Sequence, residues 1–496
     1  MSVEPGTAIS AEIDVLDSRS AGGVFVRGSG MRMVAYFGAV AVSVGATTLL
    51  TRHLHKIGYG RYVAVTSLLL IVMALTEGGL ANLGVREFST GLESERRAFM
   101  RNLIGLRIAL SSVGGVGAIA FTLLGGYPVV VVEGTVIASA GLVLATLQGT
   151  VALPLTTGLR LGWLAVLDFI GPATTAVGLV VLALIGAPLL PFFAAAVVAF
   201  AVTLSITAVL VRRQVTLRPA FAASRWRGLL RQSVVFAAAT ALGTIYFQVV
   251  VVAMSLLTTA AAVGIFGLAF RILSVVNGIP LLLVGSAFPI LLRAARDDHS
   301  RLRYAVQRLV EGDLLIGGWL SLVLVAGAPF AVSVMGGSGY PGSVGVLEIL
   351  APGVIATFLS GVFLFTLLSL RMYRTMITIN AVMIVLAVVL CALLIPAYGA
   401  TGAATVTLSL EVVLACSCGV ALFVSHPQLR PVLGTPARIV IALALAYTLA
   451  LLVPLAPVFA AAAGSALLAV LVIALRVVPR ELWAALRQST ALGDTR

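Results

Sequence analysis

The chain of 496 residues is 60% hydrophobic and only 10% charged, with a mean hydropathy of +1.13, whereas a soluble domain carries about 25% charged residues. Its 32 basic residues outnumber 18 acidic ones for a net charge of +14. The basic residues stand in short segments between apolar runs rather than on one folded face, so the excess reads as membrane topology and excludes a nucleic-acid binder.

Residues 1–30 carry Glu4, Glu12, Asp14 and Asp17 without an apolar stretch, which predicts a polar cytoplasmic tail and not a cleaved signal. Apolar runs follow at 33–51, 62–83, 103–125, 128–152, 163–187, 189–211, 232–257, 260–291, 312–335, 344–370, 375–396, 400–424, 437–455 and 457–478. Each is long enough to cross a bilayer, so the expected fold class is all-α, a polytopic integral membrane protein of about 14 transmembrane helices. With the N-terminus inside, nearly all arginines fall in internal turns, including Arg96, Arg97, Arg212, Arg213, Arg225, Arg227, Arg293 and Arg296. Only Arg52, Lys56 and Arg61 fall outside, and Arg271 alone lies at depth. The turns "LLGGYP", "LIGAPLLP", "GGSGYPGS" and "VPLAP" are uncharged. Both termini are therefore expected in the cytoplasm of a cell (inner or plasma) membrane protein.

The basic segment 212–231 divides the first twelve spans into six and six. It is read as a cytoplasmic linker between an N-terminal six-helix bundle at 31–211 and a C-terminal one at 232–425. Two additional helices at 436–478 and a cytoplasmic tail at 479–496 complete the order. A weak internal echo supports the division: Gly60 precedes Tyr62 at the opening of the second span as Gly264 precedes Phe266 at the opening of the eighth.

Three stretches, "GYGRYVAVTSLLLIVMALTEGGLANLGVREFS", "AAAVGIFGLAFRILSVVNGIPLLLVGSAFPILLR" and "LLIPAYGATGAATVTLSLEVV", resemble in order and topological place the oligosaccharide flippase branch of the multidrug, oligosaccharidyl-lipid and polysaccharide exporter superfamily. The resemblance covers about residues 30–425. It implies two six-helix bundles around a central cavity that move a polyprenyl-pyrophosphate-linked saccharide from the cytoplasmic to the external leaflet by alternating access, for cell-surface polysaccharide assembly. Implied partners are that lipid-linked saccharide, membrane lipids, a coupling cation and a polysaccharide polymerase or export machinery. Two departures from the family pattern stand out. Gln248 occupies a seventh-span position where members often carry an acid, which opens the coupling scheme, and Cys391 stands where an asparagine is usual.

Arg271, eleven residues into the eighth span from Ala260, lies about 15 Å deep at 1.5 Å per residue. An unpartnered arginine there costs about 2.5–3.5 kcal/mol on insertion scales, so a partner, water or substrate must compensate it. Glu411 lies at similar depth. One reading is a structural ion pair; the other is an arginine facing a wet cavity that binds the diphosphate bidentately, with or without Glu411 to hold it. Gln248 and Asn277 complete the expected substrate-binding set. Glu77, at a position where the family carries an acid, is a coupling or gating candidate. Asp168 and Glu348 each precede a proline by four residues, which pairs a carboxylate with a freed carbonyl as at a cation site; lying near opposite ends of their spans, they cannot share one ion. Pro280, after Gly278, is the expected hinge of the eighth span.

Catalysis has little support. His53, His55, His299 and His426 are scattered, Cys391, Cys416 and Cys418 sit in apolar runs, and no metal or cofactor motif is present. A polytopic glycosyltransferase or polymerase would need acidic residues on sizeable external loops. The other alternative is a cation-coupled drug antiporter of the same superfamily.

Overall fold

The computed structural model describes residues 19–77, 79–90, 93–158, 160–297, 299–453 and 456–475. The expected tail at 479–496 and residues 1–18 of the other tail lie outside this set. All regular structure among the described residues is helical, as lipid requires of a chain that must satisfy its backbone hydrogen bonds internally. Among the described residues, eleven helices are long and apolar enough to cross a membrane, and a shorter apolar helix covers Leu242–Leu257. Two of the eleven are bent pairs. α1 (Arg19–Glu77) leaves helical geometry at His55, with φ 52, and α14 (Tyr373–Ser425) does so at Gly399, with φ 55. Turns between other consecutive helices pass through Gly126, Gly186 and Gly337, also at positive φ.

The second span was expected to run to 83. It stops at Glu77, because Gly79 takes φ +67 and turns the chain. A short amphipathic helix, α2 (Leu80–Thr90), then packs on α5 (Leu153–Thr157) and α8 (Ala223–Leu257). The expected linker is likewise only partly irregular: α8 begins at Ala223, inside it. Its first part lies on α3 (Glu93–Leu124), where Ala220 N donates to Arg101 O at 2.8 Å.

α1 packs on α3, α4 (Val129–Val151) and α6 (Leu161–Leu184), and α7 (Leu189–Val211) packs on α4 and α6. Hydroxyl groups survive in these apolar interfaces because each donates to a carbonyl one turn back on its own helix. On α4 alone, Thr135, Ser139, Thr146 and Thr150 are buried and bonded in this way. The remaining helices are α8, α9 (Ala260–Val276), α10 (Gly278–Asp297), α11 (His299–Gly336), α12 (Gly342–Leu350), α13 (Gly353–Ser369) and α14, and these pack mainly among themselves. The break between α9 and α10 falls at Asn277. The break between α12 and α13 falls at Ala351 and Pro352. α1 makes most of the contact between the two groups, against α8, α9 and α11.

α15 (Gly434–Leu452) and α16 (Pro457–Ala474) pack on each other and on α11. Tyr447 hydrogen-bonds Ser321 across this contact, and Trp319 Nε1 donates to Ser465 Oγ at 3.0 Å. Gln307 of α11 pairs with both backbone groups of Val432, which fastens the segment leading into α15.

Candidate functional site

Where α1 faces α8 and α9, the two groups of helices enclose a cavity of about 330 Å³. Its polar wall includes Ser43, Thr47, Tyr59, Tyr62, Gln248 and Arg271. Arg271 reaches across from α9, and its Nη2 donates to Ser43 Oγ of α1 at 2.5 Å. Tyr59 and Tyr62 lie within electrostatic reach of the guanidinium. Gln248 places a buried side-chain oxygen without a hydrogen-bond partner on the same cavity. A half-buried cation whose one hydrogen-bond partner among the described residues is a hydroxyl, amid phenol and amide groups, is an anion-binding arrangement.

Of the two readings of Arg271, the ion pair with Glu411 is not formed. Glu411, 5% exposed, lies behind the cavity wall and accepts from Tyr246 OH at 2.7 Å and Thr357 Oγ1 at 2.9 Å. The reason lies in helix facing. Glu411 is on the buried face of α14 toward α8 and α13, whereas Arg271 leaves α9 toward α1.

Asn277 and Pro280 are also away from the central cavity. They line a separate cavity of about 280 Å³ with Thr357, Ser360 and Met376, and both polar atoms of the Asn277 amide are buried without hydrogen-bond partners. Asp168 lines a third cavity, of about 450 Å³, together with Gln148, Thr175 and Phe200. Glu348 is exposed on α12, apart from all three cavities. Glu77, at the end of α1, is half-buried and acts electrostatically on Arg107, which is 4% exposed on α3.

Sequence reasoning missed Arg107, Ser43, Tyr59 and Tyr246. Arg107 lies close enough to the run of arginines at 96–101 to read as another interfacial charge. The hydroxyl groups have no linear signature that separates a cavity wall from an ordinary helix interface. Among the described residues no cluster of three or more His, Cys, Asp or Glu side chains could hold a metal.

The family model described as polysaccharide biosynthesis protein matches residues 25–295. No curated protein matches the chain in sequence. Among solved structures, the chain is similar to the lipid II flippase MurJ in an inward closed conformation, with a TM-score of 0.74, 11% identity, 90% of this chain covered and 98% of that one. It is similar to an inward-facing multidrug resistance MATE family transporter of the MOP superfamily, with a TM-score of 0.62, 12% identity and coverage of 79% and 94%. It is also similar to the MATE multidrug transporter DinF-BH in complex with R6G, with a TM-score of 0.61, 17% identity and coverage of 82% and 96%.

Proposed function

Because the chain belongs to the polysaccharide biosynthesis protein family, we propose that this multi-pass membrane protein flips a polyprenyl-diphosphate-linked saccharide from the cytoplasmic to the external leaflet by alternating access. The observation that carries the reading is Arg271, a guanidinium held in the central cavity by the Ser43 hydroxyl and by no carboxylate. A hydroxyl is a neutral acceptor that a phosphate oxygen displaces with gain, since charge-assisted hydrogen bonds are about twice as strong as neutral ones. Gln248 adds amide contacts, and the fold shared with a lipid II flippase supports a lipid-linked cargo. The fourteen-span count is supported by taking the bent helices α1 and α14 as two spans each and adding Leu242–Leu257. Six and six of these form the two bundles, and α15 and α16 are the appended pair. The arginine distribution supports placing both termini in the cytoplasm.

Multidrug transporters share this fold. Yet a cation in the wall of the cavity repels cationic cargo and attracts anionic cargo, which favours the flippase.

The test follows a labelled polyprenyl-linked saccharide in everted vesicles as it becomes accessible to a lectin on the far side. Arg271→Ala removes an interaction of about 2–5 kcal/mol, which lowers the rate roughly thirtyfold to several thousandfold at near-normal expression. Arg271→Lys retains part of the rate, because an ammonium supplies charge without the fork. Undiminished flipping by Arg271→Ala overturns the reading.

A further inference from the structure

Topology alone places arginines at the ends of spans assigned to the cytoplasm, yet it does not gather them. Arg97 near the start of α3 and Arg212, Arg213 and Arg218 after α7 line one cleft of about 610 Å³, and among the described residues no carboxylate lines it. Arg212, Arg213 and Arg218 are exposed and have no hydrogen-bond or ion-pair partner among the described residues. The negative end of the α7 dipole favours a cation at Arg212, the capping residue, but offers nothing to Arg218 beyond the last turn. Like charges around one cleft repel, and a bound anion removes that repulsion.

The cleft is built on a fixed backbone. Gln214 N and Val215 N both donate to Val211 O, at 2.8 and 3.2 Å, which carries the chain past the end of α7 in a tight turn. Val215 is 5% exposed, in the apolar core that includes Leu103 and Leu106 of α3. A Cβ on Gly105 would lie 2.1 Å from Ala220 O, so the segment rests directly on the α3 backbone there. Arg218 is therefore held between two anchors, Val215 and Ala220, and the cleft also lies at the level of lipid headgroups. α7 has 23 residues and is about 34 Å long at 1.5 Å per residue, a little more than the roughly 30 Å hydrocarbon core, so Arg212 emerges at its edge. At the far end of the segment Phe221, 64% exposed, meets Trp226 edge to face with ring centroids 5.9 Å apart. An exposed ring in the same short segment as arginines suits the boundary between headgroups and acyl chains, whereas a soluble anion has no use for it.

We infer that the cleft lined by Arg97, Arg212, Arg213 and Arg218 binds the phosphate headgroup of an anionic membrane lipid. The guanidinium forks of Arg212, Arg213 and Arg218 grip its phosphate oxygens, which a point charge would hold less specifically. Bound there, the lipid joins the connection between α7 and α8 to α3 by charge, adding to the contact that Ala220 makes. The site makes no use of Arg271 and stands whatever the cargo is.

The experiment measures binding of labelled phosphatidylglycerol, and of phosphatidylcholine with the same acyl chains, to the purified full chain in a neutral detergent. The wild type binds the anionic probe at least about tenfold more tightly. Arg213→Gln with Arg218→Gln loses most of that preference, and Arg218→Gln alone, a residue with no partner to lose, weakens the anionic probe about fivefold. Arg225→Gln with Arg227→Gln removes the same charge from exposed positions outside the cleft and keeps the preference. A wild type that does not distinguish the probes overturns the inference, as does a preference that survives in the Arg213 and Arg218 variants. Equal loss from both double variants shows attraction by net charge alone and overturns it too. Inorganic phosphate separates the two sources of the anion: if it displaces phosphatidylglycerol at equal concentration, the cleft takes a soluble anion and the lipid assignment fails.

Discussion

Gly60 and Gly264 cross back to back. A Cβ on Gly60 would lie 1.9 Å from the carbonyl oxygen of Ala260, and a Cβ on Gly264 would lie 1.9 Å from that of Lys56. In each case the carbonyl belongs to the residue four before the opposing glycine, so the contact is reciprocal. Only glycine allows two helix backbones this close. The pair that echoes in sequence is thus also the pair that meets in space.

One turn further along, a Cβ on Gly267 would lie 3.5 Å from Cβ of Val63, within the range of about 3.5–4.5 Å for a disulfide. The double variant Val63→Cys with Gly267→Cys should therefore cross-link on oxidation and lock the two halves together. Flipping should stop on oxidation and return on reduction. Uninterrupted transport by the oxidised, fully cross-linked protein would show that this crossing stays closed throughout the cycle.

Glu411 and Arg271 should act independently. Glu411→Ala leaves the buried Tyr246 hydroxyl without its acceptor, a cost of about 1–3 kcal/mol that appears as a lower midpoint of thermal unfolding. Arg271→Ala should lower transport with little change in stability. The double variant should show the sum of the two stability changes to within about 0.5 kcal/mol. Recovery of transport in the double variant would instead identify a structural pair that forms elsewhere in the cycle.

Glu77 and Arg107 are coupled through burial on one side of α3. Glu77→Gln removes the carboxylate that acts electrostatically on the buried Arg107 without a direct ion pair, which should cost about 0.2–1 kcal/mol. Adding Arg107→Met should recover most of the lost thermal stability. If the double variant melts no higher than Glu77→Gln alone, the carboxylate serves some other group.

Topology is tested by labelling. Ser338, exposed in the turn after α11, should react as cysteine with an impermeant thiol reagent from outside the cell, while Ser224→Cys at the start of α8 should react only after permeabilisation. The reverse pattern would invert the assigned orientation.

The helices were legible because an apolar run bounded by arginine, glycine or proline has few alternatives in lipid. The break at Asn277 was legible because Gly278 and Pro280 follow it. Less visible was which face of each helix meets which neighbour. Arg271 and Glu411 have matching depths, but depth is a one-dimensional coordinate, and the rotation of α14 turns Glu411 toward Tyr246 and Thr357 instead. Gly79 falls inside the apolar run expected at 62–83. Its left-handed backbone ends the span, a distinction that depends on φ and not on residue type. Ser43 illustrates the remaining gap: one serine among many in apolar helices, it becomes special only because α9 brings Arg271 to it.

The bends at His55, Gly126, Gly186, Gly337 and Gly399 give the molecule a mechanical polarity. All fall at turns that the arginine pattern assigns to the outside, and each reverses the chain abruptly between two spans. Connections at the other end are mostly longer, running through α2, α5 or the stretch 212–222, although Arg371, at φ 57, makes one abrupt turn there as well. Most helical pairs should therefore behave as tongs, riveted at one end. The mouth at the riveted end should open only when whole tongs part from one another, beginning where Gly60 leaves Gly264.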